Sequence, residues 1–442
     1  MKKRKIFNLL KLFIVFCIVV PCSIFFTACK DTQTPYIGEN GNWFIGDTDT
    51  GVKANGTDGK DGKDGQDGTN GTDGKDAEPV DTYQIYLDAV EHENYQGTYL
   101  DFVKEYFDVT TDITSAVANK SVMSVVGIRA YNVTSSITKG SGVIYNIDDD
   151  GNAIILTNYH VACGQGNLPL QKIECHLYQQ DSYFQTTFIG GSSTYDIAVL
   201  KVENCEILKN SNATAVTLNT NKLSLGETCI AVGNPSGYGI AVTKGAIGVD
   251  SEYVSMTVAE ETRLRRVLRH DAYTTGGSSG GGLFDINGYL IGLTNGGISG
   301  TDINYAIPAD LVEKVVADIL KNTSSGKVNT LNLGIETDSS TSSTLNPDKT
   351  ISVVDKIFIS DIGDGIVASD GTLAVGDQIV SITLAPGTAD EETITFEREH
   401  EFKEFLITLQ HGTTIKLNAL RNGSSTVSFT HTILTDDLTI VK

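Results

Sequence analysis

The sequence predicts a mainly β protein, in which a barrel or sandwich of strands is followed by a second, smaller β domain. Between residues 112 and 307 the apolar residues fall in short runs, separated by clusters of Gly, Asn, Asp and Ser that are typical of turns. The clearest of these predicted strands are Ser121–Ala130, Gly142–Ile147, Ala153–Thr157, Ile197–Val202, Thr228–Val232 and Tyr289–Leu293.

One clear helix is predicted directly after Pro308, where the apolar residues from Leu311 to Leu320 lie on a single helical stripe. The polar stretch Asn322–Thr330 is interpreted as a linker. Residues 331–442 are interpreted as a separate domain of short strands, with one helix near Phe402–Gln410.

The composition limits the partners that the protein can have. Its 442 residues include 33 basic and 55 acidic side chains, which gives a net charge of -22 at pH 7. Such a chain is repelled by nucleic acid, and no basic cluster outside the N-terminus reverses this. We therefore expect no nucleic-acid partner. No two cysteines have the close spacing of a zinc site, and we expect neither a metal nor a cofactor.

Residues 1–28 are typical of an export signal. A cationic start is followed by the apolar run Leu12–Phe26, which is shorter than the ~20 residues of a membrane-spanning helix and leads into small residues. Cys29 comes next and resembles the lipid-modified cysteine of a bacterial lipobox, although Phe26 stands where Leu is usual. This resemblance implies a lipoprotein anchored to the cell membrane through lipid on Cys29. An uncleaved N-terminal anchor is the alternative, and both place the rest of the chain outside the cytoplasm.

Three segments lie between this signal and the large β region. Residues 29–55 are polar and are predicted to form an irregular tether. Residues 56–76 have Gly at every third position, which is the collagen pattern, because only Gly fits at the axis of three wound chains. The repeat is short and lacks Pro, so a flexible spacer is as good an interpretation as a triple helix. Residues 80–109 resemble a small helical module that follows collagen-like repeats in some bacterial surface proteins.

Four cysteines follow the N-terminal segments: Cys163, Cys175, Cys205 and Cys229. In an exported domain they could form two disulfides, or they could remain as buried free thiols. Their spacing leaves both alternatives open.

Three segments of the β region carry the residue types that nucleophilic hydrolysis of a peptide bond requires. His160 follows a predicted strand, Asp196 begins an apolar strand, and Ser279 lies in the Gly-rich loop Gly276–Gly282. A serine nucleophile needs a base to take its proton, an acid to hold that base in one tautomer, and backbone N–H groups aimed at the oxyanion. Glycines beside the serine let the loop turn its N–H groups inward. Each residue alone would be unremarkable, so the prediction depends on their combination.

The order His, Asp, Ser is that of trypsin-like enzymes rather than of subtilisins or α/β-hydrolases. The three segments resemble those of the HtrA/Deg family, which read Thr-Asn-x-His-Val, Asp-[Leu/Ile]-Ala-Val-Leu-Lys and Gly-Asn-Ser-Gly-Gly-Pro-Leu. Flanking segments that match in the same order are Lys139–Val143, Ala231–Gly237, Val242–Gly245 and Ile303–Pro308. The resemblance implies a trypsin-like double β-barrel serine protease domain at residues 112–322.

By this resemblance His160 is the general base, Asp196 is the carboxylate that orients it, and Ser279 is the nucleophile. The N–H groups of Gly277 and Ser279 would form the oxyanion hole.

The loop around Ser279 departs from the family pattern. Ser278 replaces Asn, which leaves open which serine attacks, and alignment on Gly280 and Gly281 favours Ser279. Gly282 replaces Pro. The additional glycines are expected to loosen the loop, so that the oxyanion hole forms only when something orders it.

The substrate pocket is predicted from the same fold. The base of the S1 pocket lies six residues before the nucleophile, at Tyr273, and its walls lie near Thr294 and Gly297. Neither stretch supplies an acid that could pair with Lys or Arg. We therefore expect an aliphatic or other small apolar residue before the scissile bond, in line with the family.

The domain at residues 331–442 resembles a PDZ domain. Leu333, Gly334 and Ile335 are similar to its carboxylate-binding loop, and Gly371–Leu373 with Val375–Ile382 are similar to its central turn and strand. In such a loop backbone N–H groups bind the terminal carboxylate of a peptide, which adds a strand to the sheet. A small β domain that only packs on the protease is the alternative.

The family resemblance implies a homotrimeric, ATP-independent protease that degrades misfolded or damaged exported proteins. Its partners would be unfolded substrates and C-terminal peptides. Two alternatives remain, a processing protease with one dedicated substrate and a dormant chaperone or peptide-binding protein. In a trimer, the collagen-like segment would match the symmetry of the head and could form a three-chain stalk.

Overall fold

The computed structural model describes residues 36–37, 42–45, 48–53 and 113–441, apart from gaps at 133–136, 259, 299 and 348–349. The predicted export signal with Cys29, the Gly-rich repeat at 56–76 and the helical module at 80–109 lie outside the described residues. The chain divides into two compact units, Met1–Ile85 and Tyr86–Lys442.

The described part of the first unit is a three-stranded antiparallel sheet. Its strands are β1 (Tyr36–Ile37), β2 (Asn42–Ile45) and β3 (Thr48–Lys53). The expectation that residues 29–55 are irregular is therefore wrong for these strands. Trp43, Phe44 and Ile45 are residue types that favour strands, and this local preference outweighs the polar composition of the segment.

The described part of the second unit contains two closed six-stranded barrels of equivalent topology, β4-β5-β6-β9-β8-β7 and β10-β11-β12-β15-β14-β13. The first barrel consists of β4 (Val125–Tyr131), β5 (Ile137–Ile147), β6 (Ala153–Thr157), β7 (Lys172–His176), β8 (Phe184–Ser192) and β9 (Ile197–Val202). The second consists of β10 (Thr228–Gly233), β11 (Ala241–Val258), β12 (Glu261–His270), β13 (Gly282–Phe284), β14 (Leu290–Gly297) and β15 (Asn304–Pro308). The fold is thus mainly β, and both parts of the predicted barrel or sandwich are barrels.

Among the described residues, four α-helices accompany the barrels: α1 (Ile113–Ser121), α2 (Tyr159–Ala162), α3 (Glu206–Lys209) and α4 (Ala309–Lys321). The helix predicted after Pro308 is confirmed by α4, whose apolar stripe is buried in a core shared by both barrels. The predicted strand Ser121–Ala130 begins too early, because α1 extends to Ser121 and a 3-10 turn precedes Val125. Val117 and Val122 are buried in the same core, so burial rather than strand pairing explains the start of that apolar run.

A smaller β domain follows α4. Its elements are β16 (Val328–Leu331), β17 (Ile335–Leu345), β18 (Ile351–Ile362), α5 (Ile366–Asp370), β19 (Gln378–Leu384), β20 (Glu392–Thr395), α6 (Glu399–Thr408), β21 (Thr414–Arg421), β22 (Ser425–Thr432) and β23 (Leu438–Val441). Because β16 pairs with β23, this domain starts at Val328, inside the predicted linker Asn322–Thr330.

All four cysteines beyond the N-terminal segments are free thiols. Cys163, Cys175 and Cys229 are buried, and burial raises the pKa of Cys163 and of Cys229 to about 12. These thiols are therefore protonated and unreactive at neutral pH. None of the helices within the described ranges is long and apolar enough to span a membrane.

Candidate active site

His160 and Asp196 are brought together by two neighbouring strands of the first barrel. His160 lies in α2, which follows β6, and Asp196 immediately precedes β9, which pairs with β6. The Nδ1 atom of His160 lies 2.8 Å from Oδ2 of Asp196, and the backbone N–H of His160 donates to Oδ1 at 3.0 Å. Both carboxylate oxygens therefore contact the histidine, which fixes the orientation of its ring.

The backbone of Asp196 has an uncommon conformation. Its φ angle is +57°, in the left-handed region that a non-glycine residue adopts at a cost of roughly 1–2 kcal/mol. The Asp196 carbonyl accepts hydrogen bonds from the N–H of Tyr159 at 3.1 Å and from Nδ2 of Asn158 at 3.0 Å. These bonds hold the strained residue in place and aim its carboxylate at the histidine.

Electrostatics favours the protonated form of His160. Burial alone would lower the pKa of this imidazole, but the charge of Asp196 and the hydrogen bond to it outweigh burial and raise the pKa above its ordinary value. The histidine can therefore accept a proton more readily than a free imidazole can.

Ser279 is not connected to this pair. Its hydroxyl donates to the backbone carbonyl of Asn295 at 2.7 Å, and within the described residues it makes no hydrogen bond with His160. The structure thus brings two of the three predicted catalytic residues, His160 and Asp196, into direct contact. The hydroxyl of the third, Ser279, is instead bonded to the backbone of Asn295.

Gly277 and Ser279, the predicted oxyanion-hole residues, both have unengaged N–H groups in the described part of the chain. The carbonyl of Gly276 accepts a 2.6 Å hydrogen bond from the N–H of Ser236. Because the carbonyl and N–H of a trans peptide point in opposite directions, the Gly277 N–H faces away from Ser236. Two backbone donors without a partner, beside a serine hydroxyl, are what a developing oxyanion requires.

Two glycines of the loop, Gly277 and Gly280, pack closely against the rest of the domain. Gly277 has φ of +99°, and a Cβ there would lie 2.5 Å from the carbonyl oxygen of Asn234. Gly280 has φ of +83°, and a Cβ there would lie 2.3 Å from the carbonyl oxygen of Ser141. These two glycines permit close contact between loop and barrel, whereas a Cβ at Gly276, one of the additional glycines, would have no atom within 4 Å. The loosened loop therefore stays a prediction.

Three comparisons with known proteins bear on this site. Residues 140–293 match the family model for the trypsin-like peptidase domain. The serine protease Do-like HtrA of Lactococcus lactis subsp. cremoris is 27% identical over 355 residues, which span 72% of this chain and 82% of that protein. The periplasmic pH-dependent serine endoprotease DegQ of Escherichia coli is 27% identical over 289 residues, 64% of this chain and 57% of DegQ. These matches support an HtrA-type serine protease.

A solved structure agrees with this fold. The HtrA-type protease AlgW with tripeptide superimposes with a TM-score of 0.52 at 24% identity, over 73% of this chain and 96% of AlgW. This likeness concerns the fold alone. The sequence matches support a serine endopeptidase, and the structural likeness adds the trypsin-like fold.

In this HtrA-type protease the predicted S1 residues surround one cavity of about 340 Å³ beside Ser279. Tyr273, Thr294 and Gly297 all line it, together with Asn304 and Ile298. None of the described lining residues has a charged side chain. Hydroxyl and amide groups are common in the lining, so the pocket is more polar than an aliphatic preference requires.

Ser141 is a residue of the protease site whose role the sequence did not indicate. Its hydroxyl is fully buried, donates to the carbonyl of Gly277 at 2.7 Å and accepts from the N–H of Asn234 at 2.7 Å. Its N–H donates to the carbonyl of Ser279 at 2.8 Å. Ser141 therefore ties the first barrel to the nucleophile loop. Only its place in the motif Lys139–Val143 could have drawn attention to it.

Leu333, Gly334 and Ile335, the predicted carboxylate-binding residues, lie at the start of β17. Gly334 has φ of +70°, and its N–H donates to Oδ1 of Asn332 at 3.0 Å. β17 is an edge strand of its sheet, as strand addition by a peptide would require. Beside that edge, Oε1 of Glu399 in α6 accepts a 2.6 Å hydrogen bond from Thr337 of β17.

Ion pairs connect the C-terminal β domain of the protease to the second barrel. Glu404 of α6 lies 2.7 Å from Nε of Arg266 in β12 and 3.4 Å from Nζ of Lys314 in α4. Burial raises the pKa of Glu404 to about 7, although Arg266 and Lys314 lower it. Arg265, the neighbour of Arg266, donates to the carbonyl of Ser193 at 2.8 Å. Strand β12 thus contacts both α6, through Arg266, and the segment before Asp196, through Arg265.

Proposed function

We propose that His160, Asp196 and Ser279 are the catalytic triad of this serine endopeptidase, and that it degrades misfolded or damaged exported proteins. The observation that carries the proposal is the 2.8 Å contact between His160 and Asp196. It joins two of the three residues that the sequence motifs predict to act together. The unengaged N–H groups of Gly277 and Ser279 support it, because they would receive the negative charge of a tetrahedral intermediate.

In this mechanism the Ser279 hydroxyl first exchanges its hydrogen bond to Asn295 for one to Nε2 of His160. His160 takes the hydroxyl proton as Ser279 Oγ bonds to the scissile carbonyl carbon, and the carbonyl oxygen becomes an oxyanion facing Gly277 and Ser279. His160 then gives the proton to the leaving amine, the C–N bond breaks, and an acyl-enzyme remains. Water, deprotonated by His160, releases the new carboxylate and regenerates the serine.

The cavity beside Ser279 would bind the residue before the scissile bond. Its described lining has no carboxylate, which argues against a preference for Lys or Arg. We keep the proposal of an aliphatic or other small apolar residue at this position, with Tyr273, Thr294 and Gly297 as its pocket. Sequencing the fragments of a digested unfolded protein measures this preference, and a majority of cuts after basic residues would refute it.

The C-terminal β domain is proposed to be a PDZ domain that binds C-terminal peptides beside β17, at the loop of Leu333, Gly334 and Ile335. Its contacts with Arg266 and Lys314 offer a route by which a bound peptide could influence the protease. Titration with a peptide that has a free or an amidated C-terminus tests this. Equal affinity for the two peptides would leave the domain without a carboxylate site.

The protease is proposed to act outside the cytoplasm, anchored to the membrane by lipid on Cys29, and to be a homotrimer. The relative DegQ of Escherichia coli is named as periplasmic, which supports the location. Mass spectrometry of the natural N-terminus tests lipidation, with Cys29→Ser as the control. Light scattering of the mature protein tests the oligomer, and a monomer would remove the trimeric stalk as well.

A fluorophosphonate probe that labels reactive serines is the deciding experiment for the triad. We expect labelling of the wild type that is lost in Ser279→Ala and retained in Ser278→Ala, the matched neighbour. The absence of labelling, with and without C-terminal peptides, would favour the dormant chaperone or peptide-binding protein. The engagement of the Ser279 hydroxyl by Asn295 is the observation in favour of that second candidate. A processing protease would instead label normally and cleave one protein in a substrate screen.

A further inference from the structure

Lys139 is an exposed residue of β5 whose side chain reaches across to the second barrel. Its ammonium group donates to the carbonyl of Ser236 at 3.1 Å and lies 5.6 Å from the ring centre of Tyr238. Its aliphatic stem covers Gly237, where a Cβ would lie 2.2 Å from Cδ of the lysine. The lysine is thus bound along its whole length to the turn that contains Ser236 and Gly237.

That turn supports one face of the nucleophile loop. The Ser236 N–H donates to the Gly276 carbonyl at 2.6 Å, and this bond fixes the plane of the Gly276–Gly277 peptide. The Gly277 N–H on the opposite side of that plane is one of the two donors of the oxyanion hole in the proposed function.

We infer that Lys139 is a positioning residue for the oxyanion hole, which acts by holding Ser236 against the carbonyl of Gly276. The inference rests on the proposed function of Gly277. Lys139 has no contact with the reacting atoms, so its effect passes through the backbone of Ser236.

The supported peptide is one that rotates easily without help. Both of its residues are glycines, which have no Cβ to oppose a change of ψ and φ. A rotated peptide would turn the Gly276 carbonyl toward the oxyanion and remove the Gly277 donor. The bond from Ser236 prevents this rotation, because it is lost when the carbonyl turns away.

Ser236 itself requires support. Its φ angle is +55°, which a serine adopts at a cost of roughly 1–2 kcal/mol. The charged bond from Lys139 to its carbonyl favours this conformation, since a hydrogen bond from an ionised donor is stronger than a neutral one. Ser141 lies two residues along the same strand, so β5 directs both side chains to the same turn.

The test uses the full chain and the variants Lys139→Met and Lys139→Arg. Methionine keeps the apolar stem over Gly237 but removes the ammonium group, and arginine retains a cationic donor. Lys201→Met is the matched control, because Lys201 is an exposed lysine of β9 that pairs with Glu203. Two quantities are measured, the rate constant for labelling of Ser279 by a fluorophosphonate and the hydrogen exchange rate of the Ser236 amide.

We expect labelling of Lys139→Met to be about 10-fold slower than that of the wild type, a fraction of the ~10²–10³ that loss of a whole oxyanion donor costs. With a peptide substrate kcat falls and KM is unchanged, because the donor acts in the transition state. The Ser236 amide exchanges about fivefold faster. Lys139→Arg recovers most of both values, and Lys201→Met changes neither.

Unchanged labelling and unchanged exchange in Lys139→Met overturn the inference. So does an equal loss in Lys139→Met and Lys201→Met, which would indicate a general effect of surface charge. If the wild type itself fails to label, the proposed function fails, and the exchange of the Ser236 amide alone decides whether Lys139 holds the turn.

Discussion

The two halves of the proposed catalytic cleft differ in how fully their polar groups are bonded. In the half that the first barrel supplies, both oxygens of Asp196 contact His160, and the Asp196 carbonyl accepts two further hydrogen bonds. In the half that the second barrel supplies, the Ser279 hydroxyl is bonded to Asn295, and two N–H groups have no partner in the described residues. In the proposed mechanism His160 is therefore oriented before substrate arrives, whereas the Ser279 hydroxyl must still turn toward it.

This difference follows from what supports each half. His160 lies three residues after Thr157, and Asp196 lies two residues before Ala198. Because Thr157 and Ala198 are paired on adjacent strands, the barrel itself sets the distance between His160 and Asp196. Ser279 lies in a loop before β13, and its position depends on contacts from Ser141 and Ser236. Substitutions in the first half should therefore affect chemistry alone, and substitutions in the second half should affect the geometry of the loop.

The largest effect is expected for Asp196→Asn, which tests the half of the cleft that the first barrel supplies. The amide keeps the size of the carboxylate but cannot accept from both His160 Nδ1 and the His160 N–H, so the imidazole takes the wrong tautomer. We expect kcat/KM for a peptide substrate to fall about 10⁴-fold. Asp148→Asn, in an exposed turn, is the control and should be neutral. A loss smaller than tenfold would mean that the His160–Asp196 contact has no catalytic role.

Gly277→Ala tests the half of the cleft that the second barrel supplies, and Gly276→Ala is the matched control in the neighbouring position. At Gly277 a Cβ meets the carbonyl of Asn234 at 2.5 Å and the backbone is left-handed, whereas at Gly276 no atom lies within 4 Å. We expect Gly277→Ala to displace one oxyanion donor and lower kcat about 10²–10³-fold. Gly276→Ala should retain most of the activity. If the two variants behave alike, the close packing of Gly277 is not what orders the loop.

Ser141→Ala removes the hydroxyl that connects the two halves and keeps the backbone bond to the Ser279 carbonyl. The substitution leaves the buried N–H of Asn234 without its acceptor, at a cost of about 1–3 kcal/mol in the free energy of unfolding. We expect kcat to fall about 10-fold, since the Gly277 carbonyl also loses a donor. Denaturant unfolding and peptide hydrolysis measure the two effects. Thr186→Val, which removes a donor to Ile173 on β7, should lower stability without lowering kcat.

The sequence predicted the local parts of this site and missed the long-range ones. Strand patterns placed Ala153–Thr157 and Ile197–Val202 correctly, and the His and Asp at their ends meet as the motifs indicate. The bond from Ser141 to Gly277 spans 136 residues, and no local pattern encodes such a contact. The sequence also does not show which atoms the glycines of the loop approach: a Cβ at Gly277 or Gly280 would meet a backbone oxygen, whereas a Cβ at Gly276 would meet no atom within 4 Å.

The pH dependence of activity gives the smallest effect and tests whether His160 is the base. The base must be neutral, and Asp196 raises the pKa of His160 above its ordinary value of 6.5. Activity is therefore lost as the pH falls through this raised value. We expect the midpoint of the acidic limb above pH 6.5, with more than half of the activity lost at that pH.

The titration of His160 must be distinguished from that of two other groups, His270 and Glu404. His270 has its pKa lowered to about 4 by burial and stays neutral in this range, but Glu404 titrates near 7 at the contact with Arg266. The variant Glu404→Gln distinguishes the candidates, because it removes the carboxyl and leaves His160 unchanged. If the acidic limb of the pH–activity profile keeps its midpoint in Glu404→Gln, the limb belongs to His160. If the limb disappears in this variant, the C-terminal β domain controls activity through its contact with the barrel.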